Sequence, residues 1–305
     1  MSDVAAGPRW LVVCQIFKKL PRRTLGVAAD QQSDNGYWEA SGVCRISLSG
    51  RSAAPRTGYR IHDQRDESKS RMSEMNYVVV GGSHGIGQGI VHRLLHTGAA
   101  VTVLSRTIDS ADVAAGVKHV QADVTKDEIQ AEQLPSEIAG LAYCPGSINL
   151  GPLRQLKLEA MVEDFQLNAV GAVKCLQAAL PAMKAAGNSA MVLFSTVAVG
   201  QGMPMHTSVA AAKGAVEGLT RSLAAELAPT VRVNCIAPAL TATPLAARFL
   251  SSDQKRAAMA EKYPLRRVGE VHDIAAMAEY LLSPQATWIT GQIIGVDGGM
   301  STLRL

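Results

Sequence analysis

The sequence lacks any long apolar stretch: no uncharged run comes near the roughly 18 to 20 residues of a bilayer-crossing helix, which argues against a membrane partner. Cysteine is sparse and scattered. The five residues Cys14, Cys44, Cys144, Cys175 and Cys235 are odd in number and form no C-x-x-C pair, so neither a disulfide framework nor a metal site is expected, and a reducing compartment fits. Charge of one sign is missing too. The 30 Lys+Arg and 26 Asp+Glu leave +4; residues 1–71 hold 12 and 7 of them, and the remainder holds 18 and 19. Nothing in that remainder asks for nucleic acid. Aromatics reach only 4%, yet hydrophobic residues make up 47% of the 305, so the low-hydrophobicity, high-charge composition of a disordered chain is absent. What is there suits a soluble globular protein of one large or two modest domains.

Residues 1–71 show no sustained period of 2 or 3.6, and the expectation is a poorly ordered extension or a targeting segment. Its one apolar run, Leu11 to Phe17, precedes Lys18-Lys19 and Arg22-Arg23, as a targeting peptide would, but seven acidic residues count against that reading. Met72 and Met75 stand just before the first convincing strand and leave an extended start equally open. The expected location is cytoplasmic, or an organelle if residues 1–71 are a targeting segment.

From Met75 short apolar runs alternate with longer amphipathic ones, the pattern of βαβ units around a parallel sheet. Strands are predicted at Tyr77 to Gly81, Val101 to Leu104, Val117 to Gln121, Gly140 to Cys144, Ala190 to Phe194, Val231 to Ile236 and Gln292 to Val296. Helices are predicted near Ile86 to Leu95, Leu158 to Lys184, Ala210 to Leu227, Ser252 to Glu261 and Val271 to Leu282, with room for only a short one between Thr125 and Ile138. The expected fold is α/β: a Rossmann-type, doubly wound parallel sheet of about seven strands in a single domain, residues 72–305.

The first strand runs into Gly81-Gly82-Ser83-His84-Gly85-Ile86-Gly87 and an amphipathic helix. Glycines let the backbone turn tightly and approach a pyrophosphate, and the helix N-terminus offers unpaired N–H groups with a positive dipole end. Gly81, Ser83, Gly85, Ile86 and Gly87 are therefore the candidate phosphate-binding residues of a dinucleotide site. The second strand ends in Leu104-Ser105-Arg106. With no carboxylate before Asp109, Arg106 can grip a 2′-phosphate beside Ser105, which favours NADP(H).

The G-x-x-x-G-x-G spacing, Asp123-Val124, Asn168, Lys213-Gly214-Ala215, Arg232-Val233-Asn234, Ile289-Thr290-Gly291 and Asp297-Gly298-Gly299, in this order, resemble the short-chain dehydrogenase/reductase family over about 230 residues. The resemblance implies that Asp123 and Val124 meet the adenine, and that Lys213 holds the cofactor ribose. It also implies that Thr243 bonds on the nicotinamide or phosphate side and that Thr241 to Tyr263 is a substrate lid.

For catalysis the resemblance implies a Lys with a Tyr four residues before it, a Ser thirteen before that, and an Asn in the preceding long helix. Lys213 and Asn168 match. Thr196 stands at the Ser position and can supply its hydroxyl; Val209 stands at the Tyr position and cannot supply a proton. His206, seven residues before Lys213, occupies the place where divergent enoyl-thioester reductases of the superfamily carry their tyrosine, and an imidazole can do the same work. Tyr143 and Ser208 are weaker substitutes, Tyr143 because it puts a phenol near the cofactor edge. The catalytic candidates are thus Asn168, Thr196, His206 and Lys213. Two functions follow: an NADP(H)-dependent oxidoreductase acting on a small carbonyl/alcohol or enoyl substrate, or a catalytically impaired NADP(H)-binding protein that senses or assembles. The helices Leu158 to Lys184 and Ala210 to Leu227 resemble a family dimer interface, so a homo-oligomer, dimer or tetramer, is expected.

Overall fold

In the computed structural model, Met72 and residues 74–304 are described; the expectations for residues 1–71 lie outside them. The strands are β1 (Asn76–Val80), β2 (Ala100–Ser105), β3 (Lys118–Gln121), β4 (Gly140–Tyr143), β5 (Ser189–Phe194), β6 (Val231–Pro238) and β7 (Ile293–Val296). They form one parallel sheet in the order β3-β2-β1-β4-β5-β6-β7, which reverses direction between β1 and β4. In such a sheet the crevice at the carboxyl ends of the strands beside that reversal is where a ligand binds. All seven predicted strands are present, with ends shifted by one or two residues.

The strands are near-continuous apolar runs because both faces are covered. On one face Val78, Val80, Leu104, Leu141, Met191, Leu193 and Val233 pack with Leu176, Met183 and Val216 from the helices. On the other, Tyr77, Val79, Val101, Val103, Val192 and Ile236 pack with Ile90, Leu94, Ile274 and Leu281. The helices are α1 (Gly85–His96), α2 (Ser110–Ala114), α3 (Leu158–Phe165), α4 (Gly171–Ala185), α5 (Val197–Gln201), α6 (Thr207–Leu227), α7 (Asp253–Ala260) and α8 (Val271–Leu282). Among the described residues no helix is long and apolar enough to cross a membrane.

The expected continuous helix Leu158 to Lys184 is corrected: a π-turn, Gln166–Val170, separates α3 from α4. There the Gly171 N–H, which in an α-helix would bond the Leu167 carbonyl, bonds Gln166 instead. Two short helices, α2 and α5, were also not anticipated, since five residues are too few for a 3.6-residue period to declare itself.

Candidate active site

The turn after β1 is shaped by close approach. Gly81 and Gly85 have φ of +73° and +59°, and a Cβ on Gly87 would lie 2.2 Å from the Gly81 carbonyl oxygen. Only glycine allows helix and strand to meet there. His84 gives no side-chain cap to α1, and no acidic residue stands in its first turn, so the helix leaves its N-terminal N–H groups and positive end to an incoming anion.

This turn forms the floor of a cleft of about 350 Å³. Gly81, Ser83, Gly85, Ile86, Gly87, Ser105, Arg106, Asp123, Val124 and Thr243, predicted to contact a cofactor, all line it, together with Cys144, Pro145 and Gly146. Ser105 is buried with its hydroxyl donating to the Thr107 carbonyl at 2.6 Å. Its contribution is thus the shape of the turn and the absence of a carboxylate. Arg106 has no hydrogen-bond or ion-pair partner among the described residues. Asp123 accepts from the Thr125 N–H (3.0 Å) and hydroxyl (2.6 Å), bonds that hold its carboxyl below the usual range. Thr243 caps the 3-10 turn Pro244–Phe249 by accepting from Ala246 N–H and stands over Gly85.

Lys213 of α6 does not line this cleft but lies behind Gly146, where it is buried and donates from Nζ to the Phe194 carbonyl at 2.8 Å. Burial pushes its pKa down to about 8, against the pull of Cys235, Cys144 and Asp164. Asn168 lies in the π-turn, its Nδ2 donating to the Asp164 carbonyl at 2.7 Å, while its Oδ1 is buried without a partner. A Cβ at Gly146 would stand 3.3 Å from both Asn168 Oδ1 and Lys213 Nζ, so the two predicted groups do converge on one point. Thr196 is the N-cap of α5 and accepts from Ala198 N–H at 3.3 Å, leaving its own hydroxyl proton for another acceptor. His206 stands at the N-cap position of α6 without a side-chain cap bond; its Nδ1 donates to the Pro204 carbonyl at 2.7 Å, which places the proton of a neutral ring on Nδ1 and leaves Nε2 open.

One expectation changes. Tyr143 does not present its phenol at the cofactor edge: it is buried in the core and its hydroxyl donates to the Leu167 carbonyl at 2.5 Å. Burial first, then the neighbouring thiols and Asp123, push it far above the ordinary phenol range, so it holds its proton. Burial likewise pushes the Cys144 thiol up to about 12, so it too keeps its proton. Val209 is buried on the Lys213 side of α6, one turn away, where a side chain four residues earlier must lie.

The family model for enoyl-(acyl carrier protein) reductase matches residues 80–301. A tropinone reductase homolog of Arabidopsis thaliana is 33% identical over 264 residues, 78% of this chain and 95% of that protein. The 2,3-dihydroxy-2,3-dihydro-p-cumate dehydrogenase of Pseudomonas putida is 32% identical, over 74% of this chain and 94% of its own. The chain is a short-chain dehydrogenase/reductase. Its fold matches that of a family member from Mycobacterium ulcerans (31% identity, 76% and 91% coverage, TM-score 0.69). It also matches an NADPH-bound short-chain oxidoreductase from Pseudomonas aeruginosa PAO1 with an atypical catalytic center (30% identity, 76% and 98%, TM-score 0.70). The short-chain dehydrogenase/reductase relatives are dehydrogenases and reductases, and this chain is accordingly an oxidoreductase.

The sequence reading missed a buried polar cluster around Asp164. Its carboxylate accepts from Ser147 Oγ and Asn149 Nδ2 (2.7 Å) through Oδ1, and from Ser208 Oγ through Oδ2. A signal was present: Asp164 stands four residues before Asn168, one turn away, where an apolar residue would be expected to face the core.

Proposed function

We propose that this oxidoreductase uses NADP(H) and moves a hydride between the nicotinamide ring and a small carbonyl/alcohol substrate, with an enoyl substrate as the variant of the same chemistry. The observation that carries the reading is Arg106. An unpaired guanidinium lines the same cleft as the phosphate turn, next to a residue, Ser105, that has no carboxylate to bind a ribose diol or repel a phosphate. The residues fit the cofactor: a glycine cradle that a Cβ would fill, an anion-ready helix end, and an orphaned buried Asn168 oxygen beside Lys213. The NADPH-bound Pseudomonas aeruginosa relative with an atypical center supports it from outside.

When bound, the cofactor supplies or accepts the hydride. The chain's own residues do the rest. Gly81, Ser83, Gly85, Ile86 and Gly87 receive the pyrophosphate, Arg106 the 2′-phosphate, and Asp123 and Val124 the adenine. Thr243 bonds near the nicotinamide end. Lys213 holds the nicotinamide ribose and lends positive charge to a developing alkoxide, Thr196 hydrogen-bonds the substrate oxygen through its hydroxyl, and Asn168 supports the pair. His206 takes the proton-donor role that Val209 cannot fill. A second reading, a catalytically impaired NADP(H)-binding protein, is favoured by Val209 together with the sequestered phenol of Tyr143.

Binding titrations and NADPH oxidation against a carbonyl and enoyl-thioester panel decide between them. Arg106→Ala should weaken NADPH binding by about 10- to 100-fold, the worth of a charge-assisted bond, and leave NADH binding unchanged. Equal losses for both cofactors would refute the NADP(H) assignment. Binding without turnover on any substrate would establish the second reading.

A further inference from the structure

Helix α3 buries one residue, and that residue is a carboxylate. Asp164 is 1% exposed, while Leu158, Val162 and Phe165 of the same helix face outward. A buried carboxylate without a contacting cation is costly unless several donors satisfy it. Here three neutral donors do so: Ser147 and Asn149 from the segment after β4, and Ser208 from the first turn of α6. The backbone carbonyl of Asp164 takes the Asn168 amide, and Asn168 Nδ2 also reaches Ser147 Oγ at 3.4 Å. A single side chain therefore ties together the three segments that carry Gly146, Asn168 and Lys213.

The charges around Lys213 sharpen the point. Phe194 carbonyl is its one direct partner, and the groups that face it are Cys144 beyond β4, Cys235 on β6 and Asp164 on α3. Both thiols are pushed by burial to about 12 and are neutral at physiological pH. Asp164 is then the one carboxyl group among those facing the buried ammonium.

We propose that Asp164 is a positioning residue of the active site: through Ser147 and Ser208 it fixes Asn168 and the Lys213 helix in place, and it supplies the counter-charge that faces Lys213. The proposal rests on Lys213 contacting the bound cofactor.

The test is NADPH affinity as a function of pH, measured by fluorescence titration on the full chain. In the unaltered protein affinity should fall as pH rises and Lys213 loses its proton. In Asp164→Asn, which keeps the size but not the charge, the midpoint of that fall should move down by about one pH unit, because an attractive charge has been removed. A structural role alone would lower affinity at every pH and leave the midpoint in place. Ser147→Ala, which cuts the link to Asn168 but removes no charge, should weaken NADPH by about threefold or more with an unmoved midpoint. An unmoved midpoint in a folded Asp164→Asn overturns the counter-charge; unchanged affinity in Ser147→Ala overturns the positioning, and decides the matter if Asp164→Asn does not fold. Absence of NADPH binding by the unaltered protein would instead refute the proposed function.

Discussion

The Tyr143 hydroxyl donates to the Leu167 carbonyl, the one that the π-turn has deprived of the Gly171 N–H. β4 thus repairs the break in the helix that positions Asn168. The contact also explains Gly171, where a Cβ would lie 2.3 Å from the Tyr143 oxygen. Tyr143 is a structural group that holds the segment carrying Asn168.

Tyr143→Phe should therefore leave a buried carbonyl without its donor and cost about 1–3 kcal/mol of stability. Gly171→Ala should cost a similar amount by forcing the phenol away. Denaturant unfolding measures both. Wild-type stability in Tyr143→Phe would mean that the carbonyl is satisfied in another way.

Lys213 is held at a thermodynamic loss. Its pKa is lowered from 10.5 to about 8, so between these values the unfolded chain binds more protons than the folded one, and stability attributable to this residue rises with pH. Below pH 8 the penalty is complete, about 3 kcal/mol. Lys213→Met should then be more stable than wild type at pH 7, by about 2 kcal/mol once the loss of the bond to the Phe194 carbonyl is deducted. The advantage should vanish near pH 10.5. A methionine variant less stable at pH 7 would show that the ammonium is better compensated than its surroundings imply.

The seven strands were legible because each is a short apolar run bounded by turn residues, and the phosphate turn because Gly81, Gly85 and Gly87 have no substitute in that geometry. Lys213 and Asn168 were legible only through the resemblance to the short-chain dehydrogenase/reductase family. The π-turn was not, since Gln166 to Val170 carries no composition that separates it from ordinary helix; what holds it is Tyr143, more than twenty residues away in sequence. The Asp164 cluster was hidden for the same reason. Its donors come from positions 147, 149 and 208, and only the fold brings them to one carboxylate.

The outward face of α3 predicts association. Leu158, Val162 and Phe165 are 70%, 58% and 46% exposed, and Val170 of the π-turn continues the same apolar line. Exposed rows of this kind mark partner surfaces. We expect a homo-oligomer through α3 and α6, and Val162→Asp with Phe165→Asp should convert it to a monomer near 32 kDa. Light scattering at micromolar concentration checks this. A monomeric wild-type protein would contradict it.

His206 is the residue on which enzymatic turnover should depend. Its Nδ1 is committed to the Pro204 carbonyl, so Nε2 is the atom that can exchange a proton with substrate or solvent, as base in the oxidation direction and, once the ring is cationic, as acid in reduction. Neither the aliphatic side chain of Val209 nor the sequestered phenol of Tyr143 competes for that role. General acid–base catalysis is worth roughly 10² to 10⁴ in rate, so His206→Ala should lower kcat by a factor in that range while NADPH affinity stays unchanged. His206→Gln, able to donate a hydrogen bond but not to cycle a proton, should recover little. Full kcat in His206→Ala would rule the imidazole out, leaving Thr196, with its uncommitted hydroxyl proton, as the residue to test next.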